Sequence, residues 1–290
     1  MACADRVAAV FEVRDTKLCI TDQGCQLVDS RETEPIVREK PVPFLQFDHV
    51  SLTYEGAGDK TLQDMNFIVE KGQTIGIIGG TGSGKTSLVN LIPGFYPASE
   101  GAIRLEGRNI AEIPEKELRM RIGVVPQKAV LFKGTIRSNL LWGNPEATDE
   151  ELWAALETAQ AKEVVEGKQE MLDARVAQNG KNFSGGQRQR LTIARALVRK
   201  PDILILDDSA SALDYATDAR LRAALGQIGG ETTTFIVSQR TSSIMHADQI
   251  IVLDDGEMVG QGTHETLLKN CAVYREIYYS QYPEKGGSQA

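Results

Sequence analysis

Little in this sequence points to a zinc site, to disulfides or to a membrane span. Its 4 cysteines, Cys3, Cys19, Cys25 and Cys271, form no C-x-x-C pair, which argues against a zinc site or a disulfide framework and fits a reducing, cytosolic setting. No run approaches the ~18 apolar residues of a membrane span, and no signal peptide opens the chain. If the protein serves a membrane, another segment must carry the spans. A basic surplus is missing too: 32 Lys and Arg stand against 40 Asp and Glu, a formal net charge of -8. Phosphate backbones are bound by clustered cations. The basic concentration that exists, Arg188, Arg190, Arg195, Arg199 and Lys200, is strung along a helical stretch among apolar residues. No broad nucleic-acid surface is expected. Internal repeats and long low-complexity segments are lacking as well. What remains, 41% hydrophobic and 25% charged in 290 residues, suits one large or two small globular domains.

Glycine is concentrated where it carries meaning. Gly79-Gly80-Thr81-Gly82-Ser83-Gly84-Lys85-Thr86 fits G-x-x-x-x-G-K-[ST] in full. The apolar run Thr74-Ile75-Gly76-Ile77-Ile78 leads into it, and Ser87-Leu88-Val89-Asn90-Leu91-Ile92 reads as the opening of a helix. Strand, glycine loop and helix form the context of a phosphate-binding loop. Glycines let successive backbone N–H groups line a cavity with partial positive charge, and the helix N-terminus adds its dipole. Lys85 then bridges the outer phosphates, and the Thr86 hydroxyl holds Mg²⁺. A Gly-rich turn alone would need neither residue. The expected ligand is a nucleoside triphosphate.

Taken in order, residues 1 to 40 differ from the rest. Arg6 to Val13 reads as a short helix, followed by a polar tract, and Pro35, Pro41 and Pro43 hold the chain extended. A linker or domain junction is expected, with a disordered tail as the alternative. From Phe44, the residues Leu45, Phe47, Val50, Leu52 and Tyr54 suggest a half-buried strand with a small irregularity. Gly56 to Asp59 turns into a second strand over Leu62, Met65, Phe67 and Val69. Ala102 to Leu105 and Ile122 to Val125 are further strands. Thr148-Asp149-Glu150-Glu151 is a capping box, and Phe183 to Gln187 precedes a long amphipathic helix that Pro201 ends. Ile203 to Leu206 and Thr234 to Val237 are continuous apolar strands, as sheets covered on both faces require. Asp254-Asp255-Gly256 is a hairpin turn, and a helix starts at Thr263. Alternating strands and helices predict an α/β nucleotide-binding core with an antiparallel patch in front and a helical lobe over 127–185.

Several side chains have chemistry to offer. Asp207 ends a buried strand, where ligands of parallel sheets collect, and its carboxylate suits the water shell of Mg²⁺. Asp208 is placed to orient or deprotonate a water. Ser184 is a good N-cap, and Gly185 and Gly186 let an anion approach bare N–H groups. A simple capped helix would need neither Gly186 nor Gln187. This helix and the phosphate loop lie on different lobes, so closing both around one nucleotide calls for a second chain. Gln127, at a strand end, can reach Mg²⁺ or water but alone reads as a solvated amide. Tyr54 can stack on a base, though alone it reads as a strand tyrosine.

Together these residues closely resemble the nucleotide-binding domain of an ATP-binding cassette transporter. Phe183 to Gln187 is similar to the family's signature, Gly79 to Thr86 to its Walker A loop and Ile203 to Asp207 to its Walker B strand. Gln127 is similar to the Q-loop, Ser211-Ala212-Leu213-Asp214 to the D-loop and Tyr54 to the adenine-stacking A-loop. The resemblance covers about residues 44 to 280. It implies an α/β P-loop NTPase (RecA-like) core with an antiparallel β subdomain and an inserted helical subdomain. The Val125-Pro126-Gln127 run, with Asp254-Asp255-Gly256 before Gly262-Thr263-His264-Glu265, looks most like exporter half-transporters. Residues 1–43 would then be the junction to a transmembrane domain, and 44–290 the nucleotide-binding domain. The resemblance implies ATP and Mg²⁺ as cofactors. Nucleotide contacts fall to Tyr54, Gly79, Gly80, Thr81, Gly82, Ser83, Gly84, Lys85, Thr86 and Ser87, and to Ser184, Gly185, Gly186, Gln187 and Asp214 across a dimer. Metal contacts fall to Thr86, Gln127 and Asp207, and catalysis to Asp208, Gln239, Gln127 and Lys85.

Two departures from the family touch catalysis. The family has Glu after the Walker B Asp, where this chain has Asp208, so the carboxylate falls roughly one C–C bond short. It has a switch histidine where this chain has Gln239, which can donate to a γ-phosphate but cannot exchange a proton near neutral pH. His246 falls in the segment before the next strand and is not expected to replace it. The Ala177-Gln178-Asn179-Gly180 run replaces a charged one, which puts an ionic contact to the membrane domain in doubt. Asp and Gln here resemble one half of an asymmetric, heterodimeric exporter. The implied function is an ATPase domain powering export from the cytoplasmic face of a membrane, slow in its own site and completing a partner's. Two alternatives stand beside it: a non-hydrolysing ATP-binding switch, and a soluble cassette outside transport.

Overall fold

The computed structural model describes residues 16–21, 24–29, 42–228, 230 and 232–282. The chain divides into two compact units, Met1–Val42 and Pro43–Ala290. In the first, β1 (Thr16–Thr21) and β2 (Gly24–Asp29) form an antiparallel hairpin pairing Thr16 with Asp29 and Thr21 with Gly24. The sequence reading has no strands in this tract, where Leu18, Ile20, Leu27 and Val28 supply strand propensity that the surrounding Asp, Thr and Gln obscure. The helix expected over Arg6 to Val13 lies outside the described residues.

The second unit opens with β3 (Leu45–Leu52) antiparallel to β4 (Leu62–Val69). The expected irregularity is present, as a register shift between Phe47 and Val50 with His49 at φ 50°. Next come β5 (Thr74–Gly79), α1 (Lys85–Leu91), β6 (Glu100–Leu105), β7 (Arg108–Asn109), α2 (Glu115–Met120) and β8 (Ile122–Val125). The helical lobe then carries β9 (Gly134–Thr135), α3 (Ile136–Leu141), α4 (Asp149–Thr158), α5 (Lys162–Glu166) and β10 (Arg175–Val176). Thr148 and Glu151 close the predicted capping box at the start of α4. The chain returns through α6 (Gly185–Leu197), β11 (Ile203–Asp207), α7 (Tyr215–Ile228), β12 (Thr233–Val237) and α8 (Thr241–Ile244). It ends with β13 (Gln249–Asp254), β14 (Glu257–Gly262), α9 (His264–Asn270) and α10 (Ala272–Gln281). Helix α7 escaped the sequence reading because its buried stripe mixes Thr217 and Asp218 with Leu221 and Leu225, which blurs the apolar period.

One ten-stranded sheet runs β7-β6-β3-β4-β14-β13-β5-β12-β11-β8. Strands β13, β5, β12, β11 and β8 are parallel neighbours, and β3, β4, β6 and β7 make the antiparallel flank. Side chains of a strand alternate between faces, and here both faces are covered. Ile203 and Ile205 join Ile75 and Ile77 under α1, while Leu204 and Leu206 join Ile78 and the helical lobe. The architecture is the expected α/β core with its two additions.

The arginines in and just after α6 turn inward or along the lobe. Arg190 donates to the Gln160 carbonyl at 2.6 Å and pairs with Glu163 at 2.9 Å. Arg199 donates to the carbonyls of Gly143 at 3.2 Å and Arg119 at 2.6 Å. The basic stretch thus fastens the lobe to the core.

Candidate functional site

Parallel register brings four strand ends to one edge. Ile77 of β5 sits opposite Val237 of β12, Val237 opposite Asp207 of β11, and Leu206 opposite Val125 of β8. Gly79, Gln239, Asp208 and Gln127 follow within two residues, so all four emerge on the carboxyl edge where α/β sheets bind ligands.

The loop from Gly79 to Gly84 wraps its own lysine. Lys85 is 9% exposed, and its Nζ donates to the carbonyls of Gly79 at 3.0 Å and Gly80 at 2.5 Å. Ser83 Oγ lies at 3.4 Å. Burial pulls the ammonium below its usual range, against the attraction of Asp208 and Asp207. Helix α1 starts at Gly84, whose φ of 93° suits glycine, and no side chain caps it. A Cβ there would lie 2.6 Å from Leu62 Cδ2.

Across the sheet, the Thr86 hydroxyl donates to Asp207, with Oδ1 and Oδ2 both at 3.1 Å. Burial pushes the Asp207 carboxyl up, and neighbouring Asp208 adds to that, while Thr86 and Lys85 draw it back. A hydroxyl beside a buried carboxylate is a hard-oxygen pair that fits Mg²⁺. Among the described residues, no group of three His, Cys, Asp or Glu side chains could hold a metal. That donor set matches a cation bound through one carboxylate, one hydroxyl and the phosphates of a substrate.

Asp208 continues the edge at φ 45°, its amide donating to the Val237 carbonyl at 2.9 Å. Its Oδ2 accepts from Gln127 Nε2 at 2.9 Å, so the two residues the sequence suggested for water and metal hold each other. Gln239 is exposed past the end of β12. His246 is also exposed, beyond the short α8, and the structure brings it to none of these groups through a hydrogen bond. Tyr54 donates its hydroxyl to Ser87 Oγ at 2.9 Å and stands edge-on to Tyr96, ring centroids 4.9 Å apart. Tyr96 carried no sequence signal of its own. Thr81, Gly82 and Gly80 are exposed on the loop.

The start of α6 is a closed cap. Ser184 Oγ accepts from the Gln187 amide at 3.2 Å, and Gln187 Oε1 accepts from the Ser184 amide at 2.9 Å. The expectation that a capped helix needs neither Gly186 nor Gln187 is therefore corrected. Gln187 completes the capping box, and a Cβ on Gly186 would meet the Ala212 carbonyl at 3.2 Å. Gly185 is exposed with nothing near its Cβ position. Asp214 caps α7, accepting from the Thr217 amide at 2.9 Å and the Thr217 hydroxyl at 2.8 Å. Those bonds hold its carboxyl below the usual range.

A model of the ABC transporter family matches residues 62–211. The chain is 47% identical over 234 residues to an uncharacterized ABC transporter ATP-binding protein of Mycobacterium tuberculosis, covering 80% of this chain and 40% of that protein. It is 43% identical over 247 residues to a probable multidrug resistance ABC transporter ATP-binding/permease protein of Bacillus subtilis, covering 84% and 42%. Among solved structures, a bacterial Atm1-family ABC exporter with ATP bound matches with a TM-score of 0.80 at 34% identity, over 83% of this chain and 42% of that one. The chain spans about two fifths of the length of the curated relatives it matches.

Proposed function

The chain belongs to the ABC transporter family, and from that premise we propose that it is the ATP-binding and hydrolysing part of an exporter, working at the cytoplasmic face of a membrane. Its own phosphate-loop site turns over slowly, and its Ser184 helix completes the site of a second cassette. The observation that carries this is the chain of contacts at the sheet edge, Lys85 in its loop, Thr86 on Asp207 and Gln127 on Asp208.

ATP enters with its outer phosphates at the loop amides of Gly80 to Gly84 and the Lys85 ammonium, which exchanges carbonyl partners for phosphate oxygens. Thr86, Asp207 and Gln127 would hold Mg²⁺, which when bound would supply charge neutralisation at the phosphates. Tyr54 offers a ring for the base. Asp208 orients the attacking water, but it must first leave Gln127 and is one methylene shorter than the family's Glu. Gln239 donates to the γ-phosphate without exchanging a proton. The exposed Ser184 keeps its hydroxyl proton free, because Oγ accepts within its own cap and donates outward. With Gly185 and Gly186 it meets the γ-phosphate of the partner's nucleotide, and Asp214 lies at the same boundary.

Relatives named as ATP-binding/permease proteins support a transmembrane domain on the same polypeptide, and about three fifths of their length lies outside this match. A groove of about 260 Å³ lined by Phe95, Phe132 and Trp142 suits such a domain's cytoplasmic segment. There Arg195 lies over Phe132, its Nη1 buried without a hydrogen-bond partner. The Gln127–Asp208 bond also favours a second reading, a non-hydrolysing ATP-binding switch. Comparing ATP turnover of the wild-type chain with that of Asp208→Glu/Gln239→His separates these. A rise of ~10²–10⁴ is expected, the usual range for a positioned general base. Equal rates would sink the slow-site reading, and absent phosphate release with the partner present would favour the switch.

A further inference from the structure

We infer that Gln281, in the last turn of α10, is the positioning residue for Gln239, setting the backbone from which Gln239 reaches a γ-phosphate. This rests on the proposed role of Gln239. Strand β12 stops at Val237, so Gln239 sits beyond the sheet ladder. Its carbonyl accepts from Gln281 Nε2 at 2.7 Å. The other end of the same amide, Gln281 Oε1, accepts from the Thr241 amide and the Thr241 hydroxyl, each at 2.9 Å. Thr241 is fully buried, and the N-cap of α8, Arg240, makes no capping bond with its own side chain. Gln281, 40 residues away from Thr241, does that work instead.

Arg240 holds the same segment as well. Arg240 donates to the carbonyls of Ser211 and Leu213, each at 3.4 Å, and lies over the Tyr215 ring. These residues flank Asp214, so the three-residue run Gln239-Arg240-Thr241 joins α10 to the boundary with a second cassette. Helix α10 is itself well seated. Tyr274 is fully buried, with its hydroxyl 2.8 Å from His264 Nδ1, and Tyr278 packs on Tyr282 at 5.0 Å. A rigid helix therefore presents one amide that fixes both the carbonyl of Gln239 and the start of α8.

The test uses the ratio of ATP to ADP affinity, read by displacement of a fluorescent nucleotide in the presence of Mg²⁺, with the melting temperature recorded alongside. Only ATP carries the γ-phosphate, so loss of general packing would not move the ratio. Gln281→Ala is expected to weaken ATP about fivefold, the scale of one hydrogen bond, with ADP unchanged. Gln281→Glu keeps the acceptor for Thr241 but has no donor for the Gln239 carbonyl, and the same loss is expected. In a Gln239→Ala background, Gln281→Ala should add nothing. A wild-type ratio in Gln281→Glu, or full additivity with Gln239→Ala, overturns the inference alone. An unchanged ratio in Gln239→Ala overturns the γ-phosphate reading of Gln239 and the inference with it.

Discussion

Two helices in this chain begin in glycine-rich sequence, and they are finished in opposite ways. Helix α1 starts at Gly84 without a side-chain cap, and the nearest cation, Lys85, folds back onto loop carbonyls. Helix α6 starts at Ser184 inside a complete capping box and stands exposed. A helix start leaves four amides without intrahelical partners, and a cap satisfies some of them. The open start leaves its amides without a side-chain cap. The closed start is stable by itself and offers only what points outward, the Ser184 hydroxyl and the glycine amides. One start is open and the other closed, the difference on which the proposed sharing of a nucleotide between two chains rests.

Substitutions at the two starts should separate these roles. The largest effect is expected from Lys85→Ala, which should weaken ATP roughly 10²-fold by titration calorimetry, as loss of a charge-assisted contact does. Ser184→Ala in the isolated chain should leave that affinity within about twofold, since its proposed contact lies across a dimer. Equal losses at both positions would erase the distinction. Next comes a glycine pair. Gly84→Ala places a Cβ 2.6 Å from Leu62 Cδ2 on a left-handed backbone. It should cost about 1–3 kcal/mol in urea unfolding, whereas Gly185→Ala, with open space around it, should stay within about 0.5 kcal/mol. Smallest is the cap itself: Ser184→Ala should lower stability by about 1 kcal/mol. A neutral result would mean that the Ser184 half of the capping box contributes nothing to stability.

Legibility in the sequence followed the range of the interactions. The phosphate loop, the Thr148 and Ser184 caps and the Asp254 hairpin are made by residues a few positions apart, so pattern alone located them. Helix α7 was lost because buried Thr217 and Asp218 interrupt its apolar stripe. Gln187 reads as a ligand by its residue type, whereas its amide is the second half of a cap. Arg240 and Gln281 carried no motif, and their partners lie far off in sequence.

Residue types and short spacings by themselves determined that this chain holds a glycine loop between a strand and a helix, a second helix with a capping box and an apolar strand ending in two carboxylates. Each depends on neighbours along the backbone. Only the tertiary structure decided that Thr86 meets Asp207 across 121 positions, that Gln127 meets Asp208 across 81, and that Gln281 reaches Gln239 across 42. Those meetings depend on which strands lie side by side and in what register, and that choice is made by burying two apolar faces of one sheet at once.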